Sequence, residues 1–186
     1  MYNLHSILIQ LKKEDTPLHG VMVRCVRCFY QWLDPTLWEG SALFELWAQE
    51  LELIYGDLRQ RLSPNAKTDA GSLGDRFGFD TPPELPRLLQ SIQTFYSVLI
   101  KLIAWNTLRG ATPEPPLTEL LSGRAFVNRG IRNFCGDDWY IWPLDIWDPA
   151  LETQCEELRA CLESFDTCPE GSTLSPDSLS RIYETV

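Results

Sequence analysis

"ELPRLLQSIQTFYSVLIKLIAWNTL", residues 84–108, decides the fold. Leu88, Leu89, Ile92, Phe95, Tyr96, Leu99, Ile100, Ile103 and Ala104 recur at spacings of three and four, the period of one face of a helix. Gln90, Thr94, Ser97 and Lys101 fall between them, and the pattern predicts a polar stripe turned to solvent. Gly110 and the prolines at 113, 115 and 116 end the helix.

The same period recurs on either side. Leu4, Ile7, Leu8 and Leu11 form one apolar stripe, and Met22, Cys25, Val26, Phe29, Trp32 and Leu33 form another. Ala42 to Leu62 repeats the spacing through Leu43, Phe44, Trp47, Leu51, Ile54, Tyr55 and Leu58. Asp148-Pro149 combines a capping side chain with a proline at the first helical position, and opens a helix that buries Leu151, Cys155, Leu158, Leu162 and Phe165. Asp34-Pro35 and Ser175-Pro176 carry the same signal. The expected fold is therefore all-α, a single irregular multi-helix domain over residues 1–186. Residues 63–86, rich in Gly, Pro, Asp and Ser, read as one long loop within it. The helix opened at Ser175 runs to Val186 without a capping glycine, so the chain is expected to be a fragment of a longer protein.

Charge and cysteine use narrow the function classes. The 186 residues carry a formal net charge of −10, which opposes binding of nucleic acid by the surface as a whole. Six cysteines occur without a secretory leader, so a reduced, cytoplasmic protein is expected. No apolar run approaches the roughly 20 residues of a membrane span, and no membrane partner is expected.

Complete catalytic constellations are missing. Cys25 and Cys28 have the spacing of half a zinc site, but no second pair is spaced to complete it, and both thiols fall near a buried helix face, so core packing is expected and no metal. Gly71, Gly74 and Gly78 follow no predicted strand, which leaves a cofactor turn unsupported. "DTPPE", residues 80–84, lacks the aromatic that a base-holding motif needs and reads as the start of a helix. Pro176-Asp177 is followed by no Glu-x-Lys triplet, and adjacent Asp137 and Asp138 diverge on an extended segment. No catalytic or cofactor-binding residue is assigned.

The stretch 123–147 mixes arginines, glycines and large rings. Arg124, Arg129 and Arg132 are the candidate nucleic-acid contacts. "NFCGDDWYIWP", residues 133–143, is expected to form an irregular aromatic strap, with Phe134, Trp139 and Trp142 buried against the helix of Phe95, Leu99 and Ile103. Gly130 and Gly136 would turn the chain on either side, and Lys101 would meet Asp137 or Asp138 at the surface.

"LFELWAQELELIYG" (43–56), "IQTFYSVLIKLIAW" (92–105), "LLSGRAFVNRGIRNFCGDDWYIW" (120–142) and "LSRIYETV" (179–186) together resemble the helical region that precedes the catalytic domain in large adenine-specific DNA methyltransferases of restriction-modification type. Gly130, Ile131, Asn133 and Phe134 are the most specific part, and the resemblance covers residues 40 to 186. Gly136, Trp139-Tyr140 and Gln93 depart from the family's usual residues. The resemblance implies a parent enzyme that uses S-adenosylmethionine, with this chain a non-catalytic scaffold or DNA-positioning region. Its partner would be the missing catalytic domain of its own polypeptide, and DNA would be met through the parent only. The rival reading is an independent acidic protein-interaction module that imitates the charge of DNA.

Overall fold

The computed structural model describes residues 4–34, 41–54, 73–108, 112–135 and 140–164, and the side chains of these except 4–5, 41–43 and 51–54. Among them there is no strand, and the chain is all-α. The longer helices are α1 (Leu4–Lys12), α2 (Pro17–Trp32), α3 (Ser41–Ile54) and α4 (Leu85–Leu108). Two short helices follow, α5 (Leu117–Leu121) and α6 (Arg124–Val127). A 3₁₀ turn at Trp142–Leu144 leads into α7 (Pro149–Glu163).

α2 packs most extensively against α7 and α4, with α1 on its flank and α5 joining α4 to α7. The predicted stripes meet there. Ile7 and Leu11 of α1, Met22, Cys25, Val26 and Phe29 of α2, and Leu151, Cys155, Leu158 and Leu162 of α7 are all buried in one core. Asp148 caps α7 as its Asp-Pro signal predicts, its Oδ1 accepting from the Ala150 amide at 2.7 Å. Thr16-Pro17 opens α2 in the same way, with Thr16 Oγ1 accepting from the His19 amide at 3.2 Å. The helices expected after Asp34-Pro35 and Ser175-Pro176, with Tyr55, Leu58 and Phe165, lie outside the described residues.

Three expectations need correction. α4 has no solvent-facing polar stripe: Gln90, Thr94 and Lys101 are buried, and Ser97 is half-buried. Neighbours surround this helix, and its hydroxyls turn back on its own backbone, Ser91 Oγ donating to Arg87 O at 2.7 Å and Thr94 Oγ1 to Gln90 O at 2.8 Å. Its 24 residues are also long and apolar enough for a membrane span by length and composition, contrary to the reading that no such run exists, although 78% of the qualifying window is buried inside the fold. The supposed loop 63–86 is structured where it is described. A helical turn crosses residues 73–76, Gly78 at φ +68° reverses the chain, and the Phe77 ring enters the core.

The strap keeps its expected anchor. Trp142 is 0% exposed, its Nε1 donates to Thr94 Oγ1 at 2.9 Å, and its ring meets Phe29 edge-on with centroids 5.9 Å apart. Phe134 lies on Phe126 at 4.6 Å, and Phe126 in turn meets Trp105 at 5.8 Å. Gly136, Asp137, Asp138 and Trp139 lie outside the described residues. Gly130 does take a positive φ, but the tighter glycine is Gly123, at φ +79°. A Cβ there would stand 2.0 Å from the Phe134 carbonyl oxygen, so no other residue fits.

Trp142→Ala should therefore cost about 3–5 kcal/mol and lower the thermal midpoint strongly, since it removes both a buried ring and the donor to Thr94. Asp137→Ala and Asp138→Ala should leave the midpoint nearly unchanged. Melting curves followed by circular dichroism compare the three.

Candidate functional site

The side chains with most chemical potential are the cations, the thiols and His19, and several of them are committed to the backbone or the core of the fold. A helix leaves its last carbonyls without partners, and a cation placed there also meets the negative end of the helix dipole. At α2, Arg87 reaches across from α4, Nε donating to Tyr30 O at 2.6 Å and Nη2 to Gln31 O at 3.2 Å. Its guanidinium lies over the Tyr30 ring at 4.1 Å and 3.5 Å from the Asp34 carboxylate. At α5, Lys101 Nζ donates to Leu121 O, the last carbonyl of that helix, at 2.8 Å. Lys101 is only 2% exposed, and the aspartates expected beside it lie outside the described residues.

Arg129 does the same for α4. It donates to Leu108 O and to Thr112 Oγ1, with its guanidinium over Trp105 at 5.4 Å. At α1, His19 Nδ1 lies 2.9 Å from Leu11 O, and Thr16 Oγ1 donates to Gln10 O. Arg27 Nη1 donates to Gly78 O at 2.8 Å, tying α2 to the turn after residues 73–76. Arg129, one of the three candidate nucleic-acid contacts, is thus a helix cap. Arg124 and Arg132 stand exposed on either side of it in sequence, with no ion pair among the described residues. The structure gives one of the three a structural partner and leaves the other two exposed.

The thiols form the other group. Cys25 and Cys28 lie one turn apart on α2 and face Cys155 on α7. Cys25 is fully buried and its Sγ lies 3.5 Å from Gln154 O. Burial holds its pKa well above the ordinary value, with nearby Cys155 and Cys28 adding to the effect. Burial likewise raises Cys155 to about 12 and Cys28 to about 11. Thiols held protonated make poor nucleophiles and poor metal ligands, so the geometry matches the expected core packing of Cys25. Among the described residues no group of three His, Cys, Asp or Glu side chains is arranged to hold a metal.

The "DTPPE" stretch also serves the fold. Pro83 is buried so close to Gly74 that a Cβ on that glycine would lie 2.5 Å from its ring, and the Glu84 amide donates to the Tyr30 hydroxyl at 2.9 Å, one residue before α4 begins. Thr16-Pro17 was readable as a cap, being the same signal as Asp148-Pro149. Nothing local marks Arg87, Lys101 or Arg129 as caps, because the carbonyls they serve are 20 to 57 residues away in the chain.

Comparison of the chain with protein-family models, with curated proteins and with solved structures finds no match.

Two measurements probe this arrangement. Arg129→Ala should destabilise the fold by about 1 kcal/mol, through loss of a helix cap and a ring contact, while Arg124→Ala leaves it unchanged; urea unfolding distinguishes them. The buried thiols fix the sign of an alkaline effect. Above pH about 9 the unfolded chain loses thiol protons that folded Cys155 keeps until about 12. Stability is complete below that window and falls as pH rises through it, by up to about 1.4 kcal/mol per pH unit for one thiol. Cys155→Ala should flatten the dependence of unfolding free energy on pH between 9 and 11.

Proposed function

We propose that the chain is a non-catalytic helical scaffold of a larger DNA adenine methyltransferase of restriction-modification type, packing against the catalytic part of that enzyme and helping to position DNA. One observation carries the non-catalytic half of the reading. Arg27, Arg87, Lys101, Arg129 and His19 each bond a backbone carbonyl near the end of a helix or turn other than their own. A general acid or a phosphate clamp works through donors free to meet its substrate; Lys101 and His19 are buried, and Arg87 and the exposed Arg27 and Arg129 each spend guanidinium donors on backbone carbonyls. Burial holds the thiols of Cys25, Cys28 and Cys155 protonated as well.

The adenine methyltransferase half rests on the sequence resemblance, whose most specific residues, Gly130 to Phe134, lie in the segment clamped by Arg129 and the Phe126–Phe134 contact. S-adenosylmethionine would then be bound by the parent and not by this chain, and methyl transfer to adenine would be carried by residues outside it.

Two experiments test the halves separately. Titration of S-adenosylmethionine into the purified chain should give no saturable heat up to millimolar concentration, and an affinity tighter than that would overturn the scaffold assignment. Reading the gene beyond Val186 should reveal a glycine-rich cofactor turn and an Asn-Pro-Pro-Tyr type motif in frame. An immediate stop codon, with no such motifs in a neighbouring frame, would remove the methyltransferase parent.

A further inference from the structure

We draw no further inference here: the strongest candidate, the cluster of Cys25, Cys28 and Cys155 between α2 and α7, belongs to the core packing already described, where burial holds the thiols protonated and no group of side chains among the described residues is arranged to hold a metal.

Discussion

The structure depends on how its helices end. α1, α2, α4 and α5 each finish with backbone carbonyls that are satisfied by a side chain: Thr16 and His19 for α1, Arg87 for α2, Arg129 for α4 and Lys101 for α5. Each capping group comes from another segment, so each bond is also a tertiary contact. A glycine turn would satisfy the same carbonyls locally and join nothing. Here the end of one helix is fastened to another part of the chain: α1 and α2 to the first turns of α2 and α4, α4 to the turn after Val127, and α5 back to α4.

That arrangement is what allows α4 to bury polar as well as apolar residues. A polar side chain inside a core is costly unless its hydrogen bonds are supplied. Lys101 finds the end of α5, while Thr94 receives the indole of Trp142 and donates to Gln90 O. The helix therefore works as the common wall of the α2 and α7 pair, the short helices and the strap. The strap is held by the same bonds: Trp142 reaches Thr94, and the ring sequence Phe134, Phe126, Trp105 leads back to α4 under the Arg129 guanidinium.

Between α2 and α7 the chemistry is of a different kind. Cys25 and Cys155 fill space between the two helices that pack most extensively. Burial favours their neutral form, and a neutral thiol behaves as a small apolar group. The Arg24–Glu157 pair on the rim of that interface, at 2.8 Å with both side chains about half exposed, adds little beside it. Apolar area and shape hold this interface together, while directed bonds hold the helix ends.

The sequence by itself determined the class of fold, the position of the principal helices, and the burial of Ile7, Leu11, Met22, Phe29, Leu151 and Leu158, because apolar period and capping chemistry act over a few residues. It also marked Trp142 as an anchor, since a ring of that size in an irregular segment has few places to go but the core. The roles of Gln90, Thr94, Lys101 and Arg129 were decided only by tertiary structure. At a spacing of three or four a lysine reads as solvent-facing, and three arginines within nine residues read as one patch. What turned Lys101 inward and withdrew Arg129 from its neighbours was a carbonyl at the end of a helix about 20 residues distant. Local periodicity reports which face of a helix is apolar, but a donor's partner depends on which chain ends the fold brings within reach of it.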